Sequence, residues 1–380
     1  MVELAKTPRD VSARDIRPRI LLVLGALDGG GAERVAVNIL NRCDSLRVDI
    51  RLGLMRRSGP YLAEVAADRI ADASKITAMV RETRPDLVMS FGMGINLLVA
   101  LAMMRLGRDR PLWICREDSN THAEIANLTE LEIGRATVRA LVGYAYRSAD
   151  AVLSVSSDLA ARLERRLRIQ RDRISVIHNP TDIARIMEAS KQSIVDPPTR
   201  PFIVTAGRLT RQKGQDRLLE AFAVSHAARD CELVILGEGP LEGQLRAQAA
   251  ALGIAERVRF AGFQENPWAW FARAKLFVLS SRWEGFGNVI AEAMACGAPV
   301  LSTDCDFGPR EQIVHGESGW LVAVDDAGAL AAGFDAVLGD PSLMTRMASA
   351  GVDRAKDFDI GVIMRAYADL FTGLAGQAGR

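Results

Sequence analysis

Glu284 and Glu292 stand eight positions apart, on either side of a Gly285-Phe-Gly287 corner, in the stretch Ser280-Ser-Arg-Trp-Glu-Gly-Phe-Gly-Asn-Val-Ile-Ala-Glu-Ala-Met-Ala-Cys-Gly-Ala-Pro299. A loop carboxylate beside glycines accepts hydrogen bonds from ligand hydroxyls, and the glycines let backbone groups come close to the ligand. Two carboxylates about a glycosidic bond also suit sugar hydrolysis. Taken alone, Glu292 reads as a solvated helix residue.

A second pair of charges narrows the chemistry. Ala206-Gly-Arg-Leu-Thr-Arg-Gln-Lys-Gly-Gln215 sets Arg208 and Lys213 five positions apart in a glycine-flanked loop. A guanidinium fork and an ammonium point charge so placed can clamp a diphosphate from two sides, although singly each is an ordinary solvated loop cation. A hydrolase has no need of such a clamp. Leu236-Gly-Glu-Gly-Pro-Leu241 adds Gly237 and Glu238 at another strand end, and Val258-Arg-Phe-Ala-Gly-Phe263 adds a loop able to present backbone groups to a base. Cations for phosphate, carboxylates for hydroxyls and glycines for close approach together describe a nucleotide-sugar site.

These groups need a scaffold that gathers several strand ends on one edge. Short apolar runs at 202–205, 232–236, 258–261, 276–279, 300–302 and 320–324 read as buried strands. The first half repeats the order, with strand runs at 20–25, 48–54, 86–91, 111–115, 151–156 and 174–177. Helical stretches separate the strands, so the fold class is α/β: two Rossmann-like parallel-sheet domains facing a cleft. Polar, proline-rich residues before Pro201 mark a linker. The expected organisation is an N-terminal domain over 1–185, a linker over 186–200, a second domain over 201–358 and a terminal amphipathic helix over 359–380.

In the first half, Ser90, Arg116, Glu117, Ser156, His178 and Asn179 end strands and are expected to converge on one edge. Gly29-Gly-Gly31 opens a helix whose free N–H groups suit anionic or polar ligand atoms, or it is a tight turn without a chemical role. Arg34 at the third glycine position argues against the dinucleotide fingerprint, and no Gly-Lys-Ser/Thr loop supports a nucleotide triphosphatase. A helix over about 132–147 carries Arg135, Arg139 and Arg147 among Ile133, Val138, Leu141, Val142, Tyr144 and Tyr146. It reads as a sheet-covering helix with a solvated basic face, or as a face resting on anionic lipid headgroups.

Composition bounds the rest. A chain of 380 residues is long for one core, and its net charge of +1 gives no global attraction to nucleic acid. Five scattered cysteines without metal spacing fit reduced thiols and a cytoplasmic setting. The apolar runs at 20–27 and 95–104 are too short or wrongly flanked for a signal peptide or a membrane span, leaving peripheral attachment at the inner face of a membrane open.

On these residues the chain resembles the retaining glycosyltransferases of family 4, which have the GT-B fold. The resemblance is carried by Gly207-Arg-Leu through Lys213-Gly214, Leu236-Gly-Glu-Gly-Pro240, Phe260-Ala-Gly-Phe263, and Glu284 with Glu292 followed by Ala-Met-Ala-Cys-Gly-Ala-Pro-Val. Gly29-Gly-Gly-Ala-Glu33, Ala149-Asp-Ala-Val-Leu-Ser-Val-Ser156 and Val176-Ile-His-Asn-Pro180 extend it over nearly the whole chain. It implies that Arg208 and Lys213 hold the donor diphosphate and neutralise the leaving group, with Glu284 on the hydroxyls of the transferred sugar as a positioning and electrostatic group. Glu292 would meet the ribose, and Gly237, Glu238, Phe263, Gly285, Phe286, Gly287 and Asn288 would surround the donor. Gly30, Gly31, Glu117 and Asp118 would serve the acceptor side.

The resemblance further implies retention by front-face attack, in which a donor phosphate oxygen takes the acceptor proton. It implies no metal, no cofactor beyond the nucleotide-sugar co-substrate, and a C-terminal helix crossing back to the N-terminal domain. Asp304-Cys-Asp306 is similar to the metal-binding Asp-x-Asp of the other glycosyltransferase fold, but it leads into Phe307-Gly-Pro-Arg-Glu311, a loop implied to line the donor pocket. Asn288-Val289 replaces the Leu-Pro of many relatives, and Arg116-Glu-Asp-Ser-Asn120 stands where many place a sugar-contacting His. Asn288 and Gly308-Pro-Arg-Glu311 are similar to members using UDP-hexose or UDP-N-acetylhexosamine in surface-polysaccharide or lipid-linked oligosaccharide assembly. The expected function is sugar transfer from a nucleotide-sugar to a glycan or polyprenyl-diphosphate-linked acceptor, with anionic membrane as a peripheral partner and no nucleic acid. A nucleotide-sugar epimerase and a non-catalytic nucleotide-sugar-binding subunit are the alternatives.

Overall fold

Strands buried on both faces read as near-continuous apolar runs, and this is why the apolar runs above become the sheets. The structure, a computed structural model, describes residues 17–121, 125 and 132–378. The first sheet holds β1 (Arg19–Leu24), β2 (Asp49–Leu54), β3 (Leu87–Phe91), β4 (Leu112–Glu117), β5 (Ala151–Ser154) and β6 (Ile174–Val176), in the order β2-β1-β3-β4-β5-β6. The second holds β7 (Phe202–Ala206), β8 (Glu232–Leu236), β9 (Val258–Gly262), β10 (Leu276–Leu279), β11 (Val300–Thr303) and β12 (Trp320–Val322), in the order β12-β11-β10-β7-β8-β9. Every strand pair is parallel. This is the two-domain architecture expected, the GT-B fold.

Alternation sorts each strand's side chains into two cores. In β1, Leu22 and Leu24 join one cluster and Leu21 and Val23 the other. The second sheet is sandwiched in the same way: Ile203 and Val278 face one core, Val204 and Phe277 the other. Its strand order reverses direction between β7 and β10, which is where open α/β sheets leave a crevice beyond the strand ends.

The final helix, Ile360–Ala378, crosses to the first sheet as expected. Ile363, Met364, Tyr367 and Phe371 recur at helical spacing and are buried in the core containing Val37, Leu40 and Ile50. The crossing is pinned by Thr181, whose N–H donates to Phe358 O at 2.8 Å and whose carbonyl accepts from the Ile360 N–H at 2.9 Å.

Two local readings need correction. The stretch expected as a linker from 186 begins inside a helix, Ile183–Ser190, started by Asp182 accepting from the Arg185 N–H at 3.2 Å. Ile186 on that helix is buried with Phe202, Trp270 and Ile290, so the segment packs on the second sheet, and only 191–200 is irregular. Secondly, β4 does not stop at Cys115. It continues through Arg116 and Glu117, paired with Leu153 and Ser154, and both charged residues are buried inside the sheet.

Candidate active site

The crevice at the reversal is built from the loops after β7 and β10. For these loops to touch, residue 214 must lack a side chain: a Cβ there would lie 2.1 Å from the Ser280 carbonyl oxygen, and Gly214 has φ of +63°. Further contacts stitch the loops together. Ser280 Oγ donates to Lys213 O at 2.8 Å, Gln212 Nε2 to Trp283 O at 2.9 Å, and the Arg282 N–H to Gln212 O at 2.7 Å. Arg282 also grips Asp216 through two bonds of 2.9 and 2.6 Å.

This stitching brings the expected groups together. Lys213 Nζ lies 2.6 Å from Glu284 Oε1, which also accepts from Ser281 Oγ at 2.6 Å. Glu284 is buried, being 5% exposed. Arg208 stands exposed on the same edge, and its charge acts on the carboxyl of Glu33 across the cleft. Glu292 lies half-buried on the helix Asn288–Ala295 and accepts from Trp268 Nε1 at 3.0 Å through Oε2, while Oε1 makes no hydrogen bond among the described residues. Burial pushes its carboxyl up, against the pull of the Trp268 indole and the Arg34 charge. The same burial, with Glu292 nearby, pushes the Cys296 thiol up to about 12.

The neighbouring strand ends are used in a different way. A Cβ at Gly237 would lie 2.2 Å from Gly207 O, so it is first of all the β7 loop that comes close to this glycine. Glu238 O accepts from the Leu209 N–H at 2.9 Å, and Phe263 at the end of the next loop is half-exposed.

In the glycine corner, Gly287 has φ of +80° and precedes the helix Asn288–Ala295. A Cβ at Gly285 would lie 1.9 Å from the carbonyl oxygen of Asp118, so the corner abuts the N-terminal domain directly. Phe286, expected around the donor, turns its ring the other way. It stacks on His178 with centroids 5.2 Å apart and meets Phe358 edge-on, in a buried cluster with Val155, Leu159, Ala291 and Phe307. Only its backbone is left for a donor.

On the N-terminal side Gly31 faces Asn288, whose Nδ2 would stand 3.0 Å from a Cβ at that position. Gly30 is covered by Glu33, with Oε2 placed 2.1 Å from a Cβ there. The N-terminus of the helix Gly31–Leu40, expected to receive ligand atoms, is thus met by the protein's own carboxylate, which burial raises against its backbone N–H contacts and the Arg208 charge. Asp118 is buried in an ion pair with Arg116, and Arg116 Nη2 donates to Asn179 Oδ1 at 2.6 Å. Asn179 Nδ2 in turn donates to Asn288 Oδ1 at 2.7 Å, completing a polar chain from β4 to the donor corner.

Glu117 is not the loop contact expected. It lies within β4, 1% exposed, taking the Tyr146 hydroxyl on Oε2 and the Thr121 N–H at 3.1 Å on Oε1. Ser90 is similarly internal, donating to Asn96 at 2.7 Å and accepting from the Trp113 indole at 2.8 Å. The loop 307–311 departs from expectation too: the Glu311 carboxylate leaves the donor side and accepts from the N–H groups of Ser157 and Asp158 at 2.9 and 3.2 Å. Asp304 and Asp306 take separate partners, Arg310 at 2.7 Å and Arg162 at 3.2 Å, and among the described residues no group of three His, Cys, Asp or Glu could hold a metal ion.

Sequence reasoning missed Asn179 as a bridge and gave no part to Arg34 or Gln312. Arg34 sits under Tyr61, with its guanidinium 3.7 Å from the ring centroid, and bonds Glu64 at 2.6 Å. The only available signal was position, since Asn179 follows a short strand within a motif already singled out.

Comparison with known proteins agrees with this fold. The family model for glycosyl transferases group 1 matches residues 186–354, and that for Glycosyltransferase Family 4 matches residues 29–185. A Rhizobium meliloti lipopolysaccharide core biosynthesis glycosyltransferase is 29% identical over 340 residues, covering 85% of this chain and 89% of its own length. An N-acetylgalactosamine-N,N'-diacetylbacillosaminyl-diphospho-undecaprenol 4-alpha-N-acetylgalactosaminyltransferase of Campylobacter jejuni is 32% identical over 219 residues, 58% of this chain and 59% of that protein. Among solved structures, Anabaena HepE in complex with UDP-glucose superposes with a TM-score of 0.78 at 20% identity, covering 94% of this chain and all of that one (100%). With the two models matching adjacent spans from 29 to 354, the fold common to both halves and the charged crevice at the β7/β10 reversal, the chain belongs to glycosyltransferase family 4.

Proposed function

We propose that this chain transfers a hexose or N-acetylhexosamine from a UDP-linked donor, with retention of configuration, to a lipid-linked glycan acceptor at a membrane surface. The observation that carries the donor half is the Lys213–Glu284 pair, 2.6 Å apart at the β7/β10 reversal with exposed Arg208 beside it. Arg208 and Lys213 clamp the diphosphate and stabilise the charge that develops as UDP leaves. Glu284 is held in one rotamer by Lys213 and Ser281, and receives the sugar hydroxyls. The unused Oε1 of Glu292 takes the ribose hydroxyls, and the backbone of 285–287 lines the sugar from below. The acceptor hydroxyl enters from the N-terminal side, beside Asp118, and loses its proton to a donor phosphate oxygen. No protein carboxylate then needs to act as nucleophile, which suits a Glu284 already bound to an ammonium.

Support for the donor comes from HepE, whose structure contains UDP-glucose, and for the acceptor from the Campylobacter relative, named for a diphospho-undecaprenol substrate. Surface chemistry supports the membrane setting. Leu98, Leu101 and Met104 are exposed on the helix Met93–Leu106, as are Leu141 and Tyr144 on the adjoining helix Glu132–Ser148. The charged residues in 93–108 and 133–148 are all arginines, including exposed Arg105, Arg108 and Arg139. An apolar stripe with a cationic border fits an anionic lipid surface. Among the described residues no helix is long and apolar enough to cross a membrane.

Thermal-shift titration with UDP-, GDP- and ADP-sugars tests the reading. A UDP-sugar at about 100 times its dissociation constant should stabilise the chain by about 2.7 kcal/mol. Stabilisation by GDP- or ADP-sugars alone would refute the UDP assignment.

A further inference from the structure

The segment 306–312 holds the donor corner with one side and the N-terminal domain with the other. Towards the corner, Asp306 O accepts from the Glu284 N–H at 3.3 Å. Gly308 lies against Phe286, where a Cβ would stand 2.0 Å from the carbonyl oxygen. Gln312, 0% exposed, donates Nε2 to Phe286 O and to Gly287 O at 3.4 Å, and its Oε1 accepts from the Ala291 N–H at 3.2 Å. A buried amide that uses both ends on backbone groups fixes the corner's path.

Towards the N-terminal domain, the same segment grips the helix Ser157–Leu167. Glu311 spans the first two N–H groups of that helix, the end at which orphan donors and the helix dipole favour an anion. His178 Nε2 adds a contact of 3.1 Å to Glu311 Oε2. Burial alone would raise the Glu311 carboxyl, but His178 and the two N–H groups outweigh it and hold it below the ordinary carboxylate range. Asp306 pairs with Arg162, one helical turn further along, at 3.2 Å.

We infer that Glu311 is a positioning residue for sugar transfer: by seating on the N-terminus of the helix Ser157–Leu167 it couples domain closure to the placement of Glu284 and the glycine corner, through Gln312 beside it. Its carboxylate is spent on Ser157, Asp158 and His178 of the N-terminal domain. The two acidic side chains of the segment point to one domain while its amide and backbone point to the other, so a change in the interdomain seat is passed directly to the corner. The inference rests on the donor reading above.

The test compares wild type with E311A and E311Q, using D304N as a control because, among the described residues, the Asp304 carboxylate bonds Arg310 alone and makes no hydrogen bond to the helix or the corner. UDP affinity is measured by calorimetry, UDP-glucose turnover by released UDP, and the radius of gyration by X-ray scattering with and without UDP. In E311A, UDP affinity should stay within about twofold, as for a site that the residue does not touch. Turnover should fall roughly tenfold, the size of a lost helix-capping contact expressed as a rate, and the radius with UDP should exceed that of wild type. E311Q should lie between, since its amide keeps one acceptor and opposes a second N–H with its own, and D304N should match wild type. A folded E311A with wild-type turnover and radius would overturn the inference, and so would a turnover loss matched by an equal loss of UDP affinity. If wild type binds UDP but does not turn over UDP-glucose, another UDP-sugar replaces it in the assay; if it binds no UDP, the donor reading fails and the radius without nucleotide decides: an enlarged E311A upholds the coupling, an unchanged one ends it.

Discussion

The two edges of the cleft use charge in opposite ways. On the edge of the second sheet, Lys213 and Glu284 pair at the β7/β10 reversal, Arg208 stands in solvent and Glu292 keeps an oxygen open. On the facing edge, Arg116 and Glu117 lie within β4, Arg116 ion-paired to Asp118 and the two spending hydrogen bonds on Asn179, Tyr146 and Thr121. The first edge leaves Arg208 and one oxygen of Glu292 open, and the facing edge uses its charges as framework. A loop charge can reorganise at small cost because water and a ligand can replace its partner. A charge inside a sheet has no such substitute, so its network holds Asn179 and Asn288 in place.

Three substitutions sharpen this contrast, taken from the largest expected effect to the smallest. Lys213→Ala should lower turnover by about 10²–10³-fold, as for loss of a preorganised group at developing charge. The denaturation midpoint should also fall, because buried Glu284 keeps only Ser281 as a partner; steady-state kinetics at a temperature where a urea melt shows the variant folded would isolate the loss in turnover. Should turnover survive, the clamp is misassigned. Arg116→Met should show the reverse order. It strands the Asp118 carboxylate in a buried site and should cost roughly 3–5 kcal/mol of stability by urea unfolding, the range for breaking a buried ion pair.

The smallest effect concerns Glu64, which joins Arg34 at 2.6 Å and Arg185 at 2.9 Å, linking the N-terminal domain to the helix Ile183–Ser190 of the other. Burial raises its carboxyl, but the two arginines outweigh it and hold the folded value at about 2, from an ordinary 4.5. A depressed carboxyl stabilises the folded form above its unfolded value and loses that contribution as pH falls. Melting temperature should therefore drop as pH goes from about 4.5 towards 2. Glu64→Gln should flatten this part of the profile by starting lower at neutral pH and meeting wild type near pH 2, with a small gap because the partly exposed pair is screened by solvent. An unaltered slope in the variant would remove Glu64 from the acid response.

Much of the fold was legible because parallel strands write a simple signal. β8 and β10 run where the apolar stretches 232–236 and 276–279 are, since both faces are buried and no polar residue interrupts them. The helix Ile183–Ser190 was lost in a polar, proline-rich context because only Ile183, Ile186 and the Asp182 cap mark it. The charges that meet at the β7/β10 reversal, Lys213 and Glu284, were legible through type and spacing. The inward turn of Arg116 and Glu117 was not, because a polar residue after an apolar run looks the same whether the strand has ended or continues.

By itself, the sequence determined which residues form the strands, which glycines open the loops and which charges share a strand end. These follow from local chemistry: side-chain apolarity, the absence of a Cβ, and residue spacing along one chain. Only the tertiary structure decided which way each group points. Phe286 packs into the seam between the domains, Glu311 seats on a helix more than 150 positions away in the chain, and Asn179 joins Arg116 to Asn288. Such partners are set by how two sheets are laid against each other, and that depends on burial and hydrogen-bond satisfaction summed over both domains.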